Sequence, residues 1–130
     1  MFAEPGVVDT NVLVYALDAA RQGAATLFVT SQILCEFYSV VTNPRRVAKP
    51  RSAAEATAVL ADLLAFLHVL PVPAGAVDVL LDLLRRHAVM GGDVFDLHIA
   101  ASMQANGIGK IYTFNVADFA AFAELSIATP

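Results

Sequence analysis

Short apolar runs alternate with stretches of helical periodicity along this chain, and few architectures accept that order. Strand and helix in repetition predict an α/β fold: a three-layer α/β/α sandwich around a mainly parallel sheet. The first run, Gly6–Val8, is closed by Asp9 and followed by a helical segment near Asn11–Ala19. Gly23 breaks the chain, and Thr26–Val29 reads as a second strand. Ser31 suits the N-cap of a helix over Gln32–Thr42, which Asn43-Pro44 ends. Arg45–Arg51 is a basic loop, and Ser52-Ala53-Ala54-Glu55 is a capping box for a helix with Ala56, Val59, Leu60, Leu63 and Leu67 on one stripe. His68–Val72 is a short strand or connector. Ala74–His87 is helical, with Val77, Leu80, Leu81 and Leu84 facing inward. After Gly91-Gly92, a helix starts at Asp93 or Val94 and stops at Asn106-Gly107. Ile108–Thr113 is a strand, Asn115–Phe122 a short helix and Leu125–Ala128 a last strand.

The 130 residues are read as one domain, 1–130, long enough to bury roughly two-thirds of the unfolded surface. The apolar share of 58% exceeds the roughly 45–50% of an average soluble domain. Such a chain is expected to cover surplus apolar surface by forming a homodimer or binding a tight protein partner. A membrane span is not expected. The most apolar region, Val59–Leu84, is interrupted by Asp62, His68, Pro71, Pro73, Asp78 and Asp82. Met1-Phe2-Ala3-Glu4-Pro5 lacks the basic start of a secretory signal. Cys35 is the only cysteine, so no intrachain disulfide forms, and a cytoplasmic location is expected.

The chemistry lies in acids. Asp9 ends the first strand, where open α/β sheets place their ligands, although Asp before a helix is also a common cap. Glu36 lies in a helix whose neighbours Ile33, Leu34, Phe37, Val40 and Val41 belong in a core. A carboxylate there is costly to bury unless it is paired or metal-bound. Asp96 crowns a stripe of Ile99, Ala100 and Met103, and it also suits the first turn of a helix. Asp93 reads more simply as a cap. Asn115 and Asp118 repeat the pattern after the strand ending at Thr113: Asn115 caps and Asp118 stands in the first turn, or one or both complete an acidic pocket. Several carboxylates brought together without matching bases need a cation. Mg²⁺ takes hard oxygen donors and leaves positions open for phosphate and water. His68, His87 and His98 are scattered, and neither a zinc pattern nor a phosphate-binding glycine loop is present.

Net charge is −4, which taken alone argues against a nucleic-acid partner. Yet Arg45, Arg46, Lys49 and Arg51 gather half of the eight basic residues within seven positions. They read either as phosphate contacts or as a solvated turn.

These motifs resemble a known family. Val7-Val8-Asp9-Thr10-Asn11-Val12-Leu13-Val14-Tyr15-Ala16-Leu17 resembles the opening of a PIN domain. Leu34-Cys35-Glu36-Phe37 resembles its second acidic motif, Phe95-Asp96-Leu97-His98-Ile99-Ala100-Ala101 its third, and Ile111–Phe119, closing on Asp118-Phe119, its fourth. The order holds over nearly the whole chain. A small domain of this kind is similar to the VapC toxins of bacterial VapBC toxin–antitoxin modules. The resemblance implies an endoribonuclease dependent on Mg²⁺ or Mn²⁺, acting on RNA, dimeric, and inhibited by a small VapB-like antitoxin. By the same resemblance Asp9, Glu36 and Asp96 carry the metal, with Asn115 or Asp118 at the fourth position. Thr10 and Asn11 tune Asp9 by hydrogen bonds, and Thr113 lies beside the substrate. Only 27 positions separate Asp9 from Glu36, fewer than the family usually has in a region that contributes to dimer contacts.

Two other classes compete. A phosphatase of the haloacid dehalogenase type also places Asp after strand one, but it needs a second acid two residues later, where this chain has Asn11. A catalytically degenerate PIN domain that only binds partners is consistent with Asn115 in an otherwise acidic position.

Overall fold

The computed structural model describes residues 2–23, 25–122 and 124–130. Five strands form one sheet: β1 (Gly6–Val8), β2 (Leu27–Val29), β3 (Leu67–Val69), β4 (Lys110–Tyr112) and β5 (Ser126–Ala128). Their order is β3-β2-β1-β4-β5 and every pairing is parallel. Parallel neighbours need crossovers, which the helices supply. These are α1 (Thr10–Tyr15), α2 (Leu17–Arg21), α3 (Ser31–Val41), α4 (Ala53–Leu63), α5 (Ala76–Arg86), α6 (Val94–Ala105) and α7 (Val116–Phe119). The expected three-layer arrangement is borne out, and the sheet is wholly rather than mainly parallel.

β1 sits at the centre, and Gly6, Val7 and Val8 are all buried. The chain moves from β1 to β2 on one side and reaches β4 on the other. The crevice between the carboxyl ends of β1 and β4 is therefore a topological switch point, where sheets of this kind hold ligands. Around the sheet, α3 packs between α1 and α4, and α5 packs on α6. Among the described residues no helix is long and apolar enough to cross a membrane.

Several expected boundaries are corrected. The helix read near Asn11–Ala19 is two short helices, separated at Ala16, which leaves helical geometry at φ −135° and ψ 33°. Thr30, not Ser31, caps α3: its hydroxyl accepts the Ile33 N–H, and it is fully buried. Both residues carry a hydroxyl, and only the one still in extended backbone fits the cap. The Ser52–Glu55 capping box forms as read. On α5 Leu80 and Leu84 pack against the core as expected, but the stripe is completed by Ala76 and Leu83 rather than by Val77 and Leu81. Ala76 and Leu83 are buried, whereas Val77 is 57% exposed and Leu81 43%. This helix is apolar on two adjacent stripes, so periodicity alone does not select the face.

Candidate metal and nucleic-acid site

The site begins with the turn that follows β1. Asp9 is in extended backbone and its carboxylate accepts the Thr10 N–H, so it does cap α1. It is buried, and its second oxygen is held by two more donors. The Thr113 hydroxyl donates to Oδ2 at 2.8 Å and the Asn11 amide does so at 3.3 Å. Asn11 also accepts the Phe114 N–H at 3.0 Å, tying the end of β1 to the loop after β4. Capping and a place at the switch point therefore coincide in Asp9. Burial pushes its carboxyl upward, the Thr113 and Thr10 donors pull it back, and the negative charges of Glu36 and Asp118 push it up again.

Glu36 reaches the same place from α3. Its Oε2 accepts the Thr10 hydroxyl at 2.9 Å, and its Oε1 accepts the Gln32 amide at 2.8 Å. The Thr10 side chain thus serves Glu36 rather than Asp9, where only its backbone N–H acts. Gln32 also donates to the Phe95 carbonyl at 3.1 Å and meets His98 Nδ1. It joins α3 to the first turn of α6, which carries Asp96. The reading from sequence missed Gln32. Its spacing of i, i+4 from an acid on a helix was the available signal.

Asp96 stands half-buried at the top of its stripe, with Ile99, Ala100 and Met103 buried below as expected. Its carboxyl is raised to about 7, first by burial and then by the charges of Asp118, Asp9, Glu36 and Asp93. Asp93 does not cap α6. It ends a 3-10 turn, Gly91–Asp93, and makes no side-chain cap bond. Asn115 occupies the N-cap position of α7 without a capping bond from its side chain, while Asp118 stands in the first turn of that helix.

One cleft of about 290 Å³ is lined by Asp9, Thr10, Asn11, Tyr15, Glu36, Arg46, Asp96, Asn115 and Asp118, with aliphatic and serine side chains between them. Four acids from four elements line this cleft. Thr113 lies behind them, fully buried, and acts through Asp9. The basic loop divides. Arg46 lines the acidic cleft, Lys49 and Arg51 line neighbouring grooves, and Arg45 is exposed in the loop. His98 is half-buried beside Gln32.

The donor set suits a hard divalent cation: carboxylate oxygens, a buried hydroxyl behind them and mutual repulsion that a cation would relieve. Among the described residues none of the four acids forms an ion pair. As the side chains stand, however, no three acidic, histidine or cysteine side chains among the described residues are gathered closely enough to hold an ion. Glu36 and Asp9 instead spend their oxygens on Thr10, Gln32, Asn11 and Thr113. The cleft has the composition of a metal site, but its acids stand apart.

A sequence model of the PIN domain matches residues 6–125. The chain belongs to the PIN domain family. Solved structures extend the likeness of this PIN domain in fold. VapBC2 from Rickettsia felis, bound to a promoter DNA fragment, is 20% identical over 96% of this chain and 98% of its own, at a TM-score of 0.69. VapBC-1 from nontypeable Haemophilus influenzae is 16% identical over 96% and 97%, at 0.70. VapC20 from Mycobacterium tuberculosis, described as a toxin that cleaves the sarcin–ricin loop, is 18% identical over 95% and 98%, at 0.67. No curated protein sequence matches this PIN domain.

Proposed function

We infer that the chain, taken as one PIN domain over 1–130, is an endoribonuclease that hydrolyses RNA phosphodiester bonds with Mg²⁺ or Mn²⁺. On this reading it is the toxin of a type II toxin–antitoxin pair. The observation that carries the reading is the lining of one cleft by Asp9, Glu36, Asp96 and Asp118, none of which pairs with a protein cation among the described residues. Asp9, Glu36 and Asp96 are the proposed ligands, with Asp118 or Asn115 completing the set. A bound divalent ion supplies polarisation of the phosphoryl group and activation of a water. The chain's own residues do the remainder. Thr113 and Asn11 fix the Asp9 carboxylate, Thr10 and Gln32 fix Glu36, and Arg46 is the one base on the cleft wall among the described residues, available to a phosphate. The fold shared with VapBC complexes supports a VapB-like antitoxin as partner. Exposed apolar side chains such as Leu64, Val69 and Val77 support a homodimer.

One observation favours a second reading, a degenerate PIN domain that only binds partners: the acids are not drawn together as a ligand group. A cleavage assay decides between them. RNA is incubated with Mg²⁺ or Mn²⁺, with and without chelator, using wild type, Asp9→Asn and Asp96→Asn. The nuclease reading requires loss of cleavage with chelator and in both variants. Cleavage untouched by both substitutions, or none by wild type, removes it.

A further inference from the structure

His98 lies on α6, two residues after Asp96, and its half-buried ring meets α3 through one contact: His98 Nδ1 against Gln32 Oε1. The other end of that amide is fully engaged. Gln32 Nε2 donates to Glu36 Oε1 at 2.8 Å and to the Phe95 carbonyl at 3.1 Å. An amide nitrogen carries two hydrogens, and both are spent here on oxygen acceptors. Turned the other way, the amide would set its oxygen against a carboxylate and a carbonyl, acceptor against acceptor, and would deprive both of their donor. Its oxygen therefore faces His98. That oxygen offers only lone pairs, so Nδ1 must carry a hydrogen. In a neutral imidazole one nitrogen is the donor, and its hydrogen bond selects which. In a charged ring both are donors, so Nδ1–H is present in either state.

We propose that His98 is a positioning residue for Glu36, acting through Gln32: its Nδ1–H holds the amide oxygen so that the amide hydrogens stay turned to the carboxylate. The inference rests on the reading of Glu36 as a metal ligand and adds the residue that orients its support. Among the described residues Gln32 Oε1 has no other partner, so without His98 the amide is free to rotate. Glu36 would then keep only the Thr10 hydroxyl, on its other oxygen. A carboxylate held at both oxygens is presented to an ion in one orientation, whereas one held at a single oxygen swings about that bond. His98 and Asp96 share α6, so the contact also ties the orientation of Glu36 to the helix that carries Asp96.

Two measurements on the whole chain test this. The first is the imidazole ¹⁵N spectrum of wild type in chelator at about pH 8, where an ordinary histidine is neutral. His98 Nδ1 should appear as the protonated nitrogen; a bare Nδ1 would overturn the inference. The second compares Mn²⁺ affinity by calorimetry and kcat/KM for RNA in wild type, His98→Phe, His98→Asn and Gln32→Met. His98→Phe keeps a ring of similar size and loses the donor, and both quantities should fall about tenfold. His98→Asn places its amide nitrogen where Nδ1 stood and should recover most of the loss, which a role in packing alone would not allow. In the Gln32→Met background His98→Phe should cost nothing further, because the group it acts through is gone. Equal losses from His98→Phe with and without Gln32 would overturn the relay, as would an Asn variant no better than Phe. If wild type binds Mn²⁺ and cleaves RNA while His98→Phe matches it, only this inference falls. If wild type does neither, the nuclease reading falls and takes this inference with it.

Discussion

Gln32 and Glu36 stand one helical turn apart on α3, and the Gln32 amide nitrogen lies 2.8 Å from Glu36 Oε1. The same amide reaches the Phe95 carbonyl, one residue before Asp96, on the facing helix. One uncharged side chain thus holds the Glu36 carboxylate and ties α3 to the backbone beside Asp96. Groups behind metal-binding carboxylates typically contribute about 10- to 100-fold in metal affinity or activity. Gln32→Met keeps the length and removes the amide. It should lower kcat/KM for RNA by about that factor and raise the Mn²⁺ concentration for half-maximal binding in calorimetry. Full activity and unchanged Mn²⁺ affinity would show that Glu36 needs no such support.

Thr113 is the corresponding support for Asp9. Its hydroxyl is fully buried, donates to Asp9 Oδ2, and accepts the Asn115 N–H at 3.0 Å. Thr113→Val preserves shape and leaves the acid and the amide without that partner. The expected loss is about 1–3 kcal/mol of stability in urea unfolding, with Thr113→Ser recovering most of it. A Val variant as stable as wild type would mean that water replaces the hydroxyl.

Much of this arrangement was legible in the sequence, and the residues show why the rest was not. Asp9, Asp96 and Asp118 follow strands or open helices, positions that backbone geometry fixes locally, so their convergence follows once the sheet is parallel. Glu36 was legible because a charge among Ile33, Phe37 and Val41 demands a reason. Gln32 was not, because an uncharged amide on a helix is unremarkable until its partners across space are known. The α5 face was ambiguous because both stripes are apolar, and contact with α6 decided it. The basic loop could not be divided in advance. Which of Arg45, Arg46, Lys49 and Arg51 reaches the cleft depends on how the loop crosses the ends of α1 and α3, which is tertiary information.

Gly6 marks the closest approach inside the sheet. A Cβ there would lie 2.9 Å from the Lys110 carbonyl oxygen and 2.9 Å from the Tyr112 ring. The carbonyl belongs to the neighbouring strand and cannot step aside without shifting β4. Gly6→Ala should therefore destabilise by roughly 1–3 kcal/mol. Because β4 leads into Thr113 and Asn115, metal affinity should fall as well. A variant with wild-type unfolding and Mn²⁺ binding would show that the two strands separate easily.

The acidic cleft also sets a pH dependence whose sign can be worked out. Asp96 is raised to about 7 in the folded chain from an ordinary value of 3.8. Between those values the folded state holds a proton that the unfolded state has released, so stability falls as pH rises, reaching its floor above about 7. Asp9 is shifted in the same direction. Glu55 and Glu124 are shifted downward by their hydrogen bonds, so their contribution is lost only as pH falls below the ordinary glutamate value of 4.5, outside the range from pH 5 to pH 7.5. In chelator, the melting temperature should therefore drop between pH 5 and pH 7.5, and Asp96→Asn should flatten that drop and melt higher than wild type at pH 7.5. Millimolar Mn²⁺ should raise the wild-type melting temperature at pH 7.5, where the acids are ionised, and do little at pH 5, where Asp96 keeps its proton. Melting curves that ignore both Mn²⁺ and Asp96→Asn at pH 7.5 would mean that the four carboxylates do not repel one another enough to recruit an ion.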